Sequence, residues 1–266
     1  SIQNLVASPY GMVLAVGPTG SGKTTTLHAM LGKVNAVEKK VWTVEDPVEI
    51  TQPGLRQMQV NPQIGLSFAS AMRSFLRADP DVIMVGEMRD EETAHMAVEA
   101  SLTGHLVFST LHTNNAPETV TRLIDMGMEP FSFSDALLAI LAQRLARRLC
   151  DQCKEEYEAT DSERSEFAGY LGETALSRLA GTGPLKLFRA VGCVECDNSG
   201  YRGRLPLHEL LVNNDEIREA IQKKATTAEL RLLAEKNGMR TLLQDGVAKC
   251  LQGLTDLKQV LAVCSR

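Results

Sequence analysis

Aromatic side chains and positive charge are both scarce in this sequence. Tryptophan occurs once, Phe, Trp and Tyr together make 5% of the 266 residues, and the formal net charge is −5. Nucleic-acid-binding domains usually show a basic face and stacking rings, so both shortages argue against a nucleic-acid partner. Long apolar runs are missing as well. The longest small-apolar stretch is Ala136 to Ala142, far short of the ~20 residues that a membrane helix needs, and no direct membrane insertion is expected. No secretory leader pattern opens the sequence. Six cysteines are too few for a disulfide scaffold. Four of them fall into two C-x-x-C pairs, which points to metal in a reducing compartment.

What is present is an ordinary globular composition: 44% hydrophobic and 23% charged residues, enough to exclude disorder and collagen-like structure. At this length folding buries roughly three quarters of the unfolded surface, which supports one or two domains. The first half reads as α/β. Short apolar runs at Met12–Val16, Val41–Val44, Val82–Val85 and His105–Thr110 are rich in Val, Ile or Leu and end at breakers or polar residues. Such runs fit strands buried on both faces of a parallel sheet. Between them, Phe68, Met72, Phe75 and Leu76 repeat with helical spacing behind a capping Ser67. Thr93–Leu102 is a second helix, closed by Gly104. In open α/β sheets ligands bind beyond the carboxyl ends of the strands. The four runs therefore aim Lys23, Glu45, Glu87 and His112 at one edge.

Gly17-Pro18-Thr19-Gly20-Ser21-Gly22-Lys23-Thr24 matches G-x-x-x-x-G-K-[ST]. The glycines let backbone N–H groups face phosphates, and the following helix, which opens on Lys23, Thr24 and Thr25, adds its N-terminal partial charge. Lys23 is placed to reach the β and γ phosphates of ATP, and the Thr24 hydroxyl to ligate Mg²⁺. A dinucleotide site is disfavoured, because the spacing is not G-x-G-x-x-G and no clean ribose acid follows.

Such a site needs an acid for magnesium and an acid to orient the attacking water. Glu87 ends the run Asp81–Glu87, with Gly86 standing where P-loop proteins commonly carry Asp. Glu45 and Asp46 end the neighbouring run, where Pro47 breaks the strand. The expected division is Glu45 as general base and Glu87 as partner of magnesium or its water. His112 is the expected γ-phosphate sensor, and His105, at the opposite strand end, is structural or interfacial. For Arg73 and Arg77, spaced i, i+4, two readings stay open: a solvated helix face, or stabilisation of transition-state charge in the same or a neighbouring subunit.

Cys150-Asp-Gln-Cys153 and Cys193-Val-Glu-Cys196 are separated by 39 residues. Two such knuckles bring four thiolates to one tetrahedral Zn²⁺. A redox role is disfavoured, since no thioredoxin-like pattern accompanies the pairs. Cys250 and Cys264 read as buried thiols. Lys154–Glu166 carries six acids and no aliphatic stripe and reads as a solvated helix or loop. The connector between the cysteine pairs is expected to tolerate shortening. Gly181–Pro184 reads as a turn, and after Leu205 the sequence reads as helical, with a capping box at Thr226–Glu229, Leu230, Leu233 and Ala234 inward, and a stop at Gly238. The partition expected is residues 1–148 as a P-loop core, 149–204 as a zinc-binding subdomain and 205–266 as a C-terminal helical subdomain.

Together these motifs resemble the secretion-motor ATPases of type II secretion and type IV pilus assembly, from about Asn4 to Val263. The family's Walker A appears as GPTGSGKTTTL at 17–27, its Asp box as TVEDPVEI at 43–50, its Walker B as LRADPDVIMVGEMRD at 76–90 and its His box as TGHLVFSTLHTNNA at 103–116. The tetracysteine segment and GYRGR at 200–204 place the resemblance with assembly and export motors rather than pilus-retraction or conjugation motors. Departures are small: Met88 replaces a common isoleucine, and Pro206-Leu207-His208 replaces a Gly-Ile-Tyr type of segment. The resemblance implies a RecA-like P-loop NTPase that hydrolyses ATP with Mg²⁺ and extrudes pilin or pseudopilin subunits. It implies a cytoplasmic homohexamer docked on an inner-membrane platform protein. It also implies further N-terminal domains ahead of the P-loop, which contribute arginines to the nucleotide, so that this stretch alone is weakly active. Two other classes compete: a nucleic-acid motor, which DNA stimulation would reveal, and a non-hydrolysing nucleotide-binding adaptor, which measured turnover would exclude.

Overall fold

Nine strands and twelve α-helices follow one another in the computed structural model, which describes residues 2–181 and 183–264. Thr182, within the expected Gly181–Pro184 turn, lies outside the described residues. The strands are β1 (Gly11–Val16), β2 (Val41–Glu45), β3 (Arg56–Gln59), β4 (Val82–Val85), β5 (Leu106–Leu111), β6 (Leu137–Leu149), β7 (Glu155–Glu158), β8 (Lys186–Arg189) and β9 (Tyr201–Val212). The helices are α1 (Ile2–Val6), α2 (Lys23–Val34), α3 (Phe68–Phe75), α4 (Glu91–Leu102), α5 (Ala116–Asp125), α6 (Pro130–Ala136), α7 (Asp161–Leu171), α8 (Glu173–Ala180), α9 (Asp215–Gln222), α10 (Thr227–Lys236), α11 (Leu242–Leu251) and α12 (Leu257–Cys264).

The main sheet has the order β3-β2-β4-β5-β1-β6-β9. Every pairing from β3 to β6 is parallel. All six residues of β1 and of β5, and all four of β4, are buried. Strands covered on both faces by helices have no polar side to alternate with, hence the unbroken apolar runs. The four expected strands are all present. α3 starts at the Ser67 capping box and turns Phe68, Met72 and Phe75 inward. His105 sits just before β5, with Nδ1 2.9 Å from the Ala100 carbonyl, a contact that ties the end of α4 to the start of the strand.

Two compact units are formed, one from Ser1–Ala142 with Leu210–Met239, the other from Gln143–Glu209 with Arg240–Arg266. They do not follow the chain-order partition at 148/149 and 204/205. Helices α9 and α10 belong to the first unit, where Asn213 Nδ2 donates to the Ser134 and Leu137 carbonyls and Thr121 and Thr227 share a hydroxyl contact. A chain-order reading cannot see such a return of the chain.

Three sequence expectations are corrected. The segment after Leu205 is not helical at first: β9 runs on to Val212, with Leu207, Glu209 and Leu211 buried in alternation, a period of two. The acidic stretch 154–166 is neither a loop nor a lone solvated helix. It forms β7, which pairs antiparallel with β8, and then opens α7 at the Thr160 capping box. The connector is a folded helix pair with Phe167 and Leu176 buried, so shortening it removes core. Downstream, α10 starts at the expected Thr226–Glu229 capping box with Leu230 and Ala234 buried and Leu233 half-buried. Cys250 is buried and Cys264 half-buried. Burial pushes the Cys250 thiol well above its ordinary range and the Cys264 thiol up to about 11. Among the described residues no helix is long and apolar enough to cross a membrane.

Candidate active site and metal centre

Parallel pairing sets Val16 level with Leu111, Val85 with Ser109 and Val44 with Val85. The carboxyl ends of β1, β5, β4 and β2 therefore share one edge. Gly17–Gly22 leaves β1 at this edge and turns into α2. Gly20 and Gly22 have φ of 76° and 86°, a left-handed conformation that glycine adopts without strain. Gly22 is the N-cap of α2 and offers no side chain to it, so the positive end of the helix dipole faces this edge, where an anion is favoured. Lys23 Nζ donates to the Gly17 carbonyl at 2.8 Å and the Pro18 carbonyl at 3.0 Å. The lysine is folded across the loop whose phosphates it is expected to meet. Thr24 is half-buried on the first turn of α2.

Glu45 closes β2 and is 2% exposed. Its Oε1 accepts from Thr43 Oγ1 at 2.7 Å and from Gln57 Nε2 at 3.1 Å, and its Oε2 faces His28 Nε2 at 3.0 Å. Glu87 is more open and is gripped from two sides: His112 Nε2 lies 3.0 Å from Oε1, and Arg89 donates through Nε and Nη2 to Oε2, both at 2.7 Å. Gly86 has a steric reason. A Cβ there would sit 3.1 Å from the Val44 carbonyl and 3.2 Å from Glu45 Cα, so a side chain would press on the strand that holds Glu45. The structure thus brings Glu87 and His112 into contact and sets Glu45 one strand away. Arg73 is paired with Glu92 on α4, and Arg77 is exposed.

Sequence reasoning missed His28, Thr43, Gln57 and Arg89. Thr43 and Arg89 each lie two residues from a named carboxylate, a spacing that was legible. Gln57 sits on a four-residue polar strand, and His28 inside a helix, where no pattern marks them.

In the second unit the four sulfurs of Cys150, Cys153, Cys193 and Cys196 all lie within 4.8 Å of one another. Three Sγ pairs are 3.7, 3.8 and 3.9 Å apart. That is too long for a disulfide. A tetrahedron with Zn–S bonds of about 2.3 Å has edges of roughly 3.8 Å, so the residues fit zinc. Backbone N–H groups of Gly192, Cys193 and Gly200 point at the sulfurs at 3.2–3.3 Å. Burial raises the Cys196 thiol, but the Cys193 and Gly200 N–H groups outweigh it and bring it down to about 6; burial and neighbouring thiols push Cys193 up to about 11. Four sulfur ligands would close the coordination sphere of such an ion, the arrangement of structural rather than catalytic zinc sites.

The sequence is similar to known secretion and pilus proteins over nearly its whole length. It is 49% identical over 260 residues to the type IV pilus assembly ATPase PilB of Thermus thermophilus, covering 98% of this chain and 28% of that protein. It is 48% identical over 265 residues to the type II secretion system ATPase E of Vibrio cholerae, covering 99% of this chain and 50% of that protein. Among solved structures, the pilus retraction motor PilT with bound ADP aligns with a TM-score of 0.71 at 30% identity, over 98% of this chain and 63% of that one. The ATPase DotB of Legionella pneumophila aligns with a TM-score of 0.69 at 25% identity, over 99% and 62%. The chain thus spans half or less of the length of these two curated relatives. The family model described as type II/IV secretion system protein matches residues 1–262, and with the phosphate loop, the two strand-end glutamates and the tetracysteine cluster in place, the chain belongs to that family.

Proposed function

We propose that this chain is the ATP-hydrolysing part of a motor that powers pilin or pseudopilin assembly or type II secretion, extending or exporting rather than retracting. The observation that carries the reading is the single sheet edge at which the phosphate loop, Glu45 and the Glu87–His112 pair converge. The tetracysteine cluster and the higher identity to assembly and secretion ATPases than to the retraction motor favour export. In this reading the protein works as a cytoplasmic homohexamer, peripheral to the inner membrane through a platform protein, without nucleic acid.

Lys23 leaves its carbonyl partners to meet the β and γ phosphates of ATP, whose remaining oxygens face the N-terminal turn of α2 and its partial positive charge. Thr24 and Glu87 are the residues that would hold Mg²⁺, and the ion would supply neutralisation of phosphate charge when bound. Glu45 orients and deprotonates the attacking water. His112 senses the γ phosphate from its place on Glu87. Arg73 and Arg77 stabilise transition-state charge in the same or a neighbouring subunit, Arg73 after release from Glu92. Cys150, Cys153, Cys193 and Cys196 hold Zn²⁺ as a structural crosslink.

Single-turnover hydrolysis and MgATP affinity across a magnesium series, in the full-length protein, test the division of roles. Glu45→Gln should keep MgATP binding and lose on the order of 10²-fold or more in kcat. Glu87→Gln should show a defect that depends on magnesium concentration. Normal turnover by Glu45→Gln, with Glu87→Gln binding normally yet dead at every magnesium level, reverses the assignment.

A further inference from the structure

We infer that His28 is a positioning residue for Glu45, joining the helix that begins at the phosphate loop to the carboxylate that orients water. The inference rests on the role given to Glu45 above. His28 sits on α2, five residues after Lys23, and is 1% exposed. Glu45, as a carboxylate, only accepts hydrogen bonds and offers about four lone-pair sites. Thr43 and Gln57 fill two on Oε1, and His28 fills one on Oε2. One site is left, on Oε2, for a water. The imidazole therefore carries its proton on Nε2, and removing it opens a second site on the oxygen that has the vacancy.

The contact belongs to a closed ring. Gln57 Nε2, which donates to Glu45, also donates to the Ile50 carbonyl, and Gln57 Oε1 accepts from the Gln52 backbone N–H. Gln52 Nε2 then donates to the His28 carbonyl at 3.0 Å. One residue of α2 thus grips both the carboxylate and the loop between β2 and β3. Thr43 shares the strand of Glu45 and moves with it. Gln57 is held by the loop. His28 alone among the three donors stands on the helix that a nucleotide would contact. Its Nδ1 is buried and meets no protein group, so the side-chain contact the ring makes is the one that orients Glu45.

The test uses His28→Phe, which keeps a ring and removes the donor, His28→Gln, whose amide still reaches, and His28→Asn, one methylene shorter. The full-length protein is assayed for kcat, KM for MgATP and thermal midpoint, beside Glu45→Gln and the double variant Glu45→Gln/His28→Phe. A hydrogen bond to a charged group is worth enough for a loss of about tenfold or more. His28→Phe should lower kcat by that factor with KM within about threefold of the parent. His28→Gln should recover most of the loss and His28→Asn should not. The double variant should be no slower than Glu45→Gln. Parental kcat in His28→Phe, equal kcat in His28→Gln and His28→Asn, or losses that follow only the thermal midpoint overturn the inference. If His28→Phe does not fold, the Gln and Asn pair decides. Parental turnover in Glu45→Gln would instead sink the role of Glu45 itself, whereas a dead Glu45→Gln beside fully active His28 variants removes only the positioning claim.

Discussion

In the first unit, β1, β4 and β5 bury every residue, Glu87 beyond β4 meets His112 beyond β5, and Glu45 at the end of β2 is held from α2 and β3. In the second unit, β7 and β8 are four residues each and mostly exposed, and the segment bearing Cys193 and Cys196 is a 3₁₀ turn of three residues. The first region obtains its rigidity from apolar burial, at roughly 25 cal/mol per Å². In the second, four thiols converge across 39 intervening residues, an arrangement that a metal crosslink would hold. The difference teaches where each unit is vulnerable. The expectation is that the sheet keeps its shape on losing a polar group, while the knuckles loosen on losing one sulfur.

The largest effect should follow from Lys23→Ala. The variant should keep the fold, because β1 and α2 remain packed, and lose nucleotide binding and turnover to background, because the charge that meets the phosphates is gone. Titration with a fluorescent ATP analogue and a phosphate-release assay check this; hydrolysis at the parental rate would overturn the phosphate-loop assignment. Next in size, Cys150→Ser or Cys193→Ser should lose the metal. Elemental analysis should fall from about one zinc per chain toward none, and hydrogen exchange should rise around residues 150–157 and 190–200 while β1, β4 and β5 stay protected. Equal loosening of the main sheet would show that the two regions do not differ as described.

Phe167→Ala probes the helix pair within the connector that was expected to tolerate shortening. Phe167 is 2% exposed, and α7 packs on α11. Its truncation should cost about 3–5 kcal/mol of stability, read as a lower denaturation midpoint for the second unit with the first unchanged. A variant as stable as the parent would restore the view of a tolerant connector.

The smallest effect concerns pH. Burial holds the His208 imidazole below its ordinary range, the Lys249 ammonium adds to this and Asp245 opposes it. The folded state therefore binds fewer protons here than the unfolded chain. Stability should be complete above the unfolded value of about 6.5 and fall as pH drops below it. In the parent, the thermal midpoint of the second unit should decrease from about pH 7.5 to 5.5, and His208→Asn should flatten that decrease. An unchanged slope would assign it to other groups.

The sequence by itself determined the sheet core and named the strand-end residues that gather at its edge. Apolar runs ending in Gly17, Glu45, Gly86-Glu87 and His112, four to six residues long and bounded by breakers, fit strands buried on both faces, and parallel strands put their carboxyl ends on one edge. Cysteine spacing likewise named all four sulfurs of the cluster. Tertiary structure decided what local pattern cannot carry. β3 is a polar tetrapeptide made a strand by its neighbour β2. The Ala136–Ala142 run falls mostly in β6, whose residues Leu137–Ala142 pair with β1, although a short apolar run alone fits helix as well as strand. Helices α9 and α10 join the first unit only because the chain returns to it. The partners of Glu45 come from positions 28, 43 and 57, and only folding brings such separated donors to one carboxylate, because a buried charge must find its hydrogen bonds wherever the packed elements offer them.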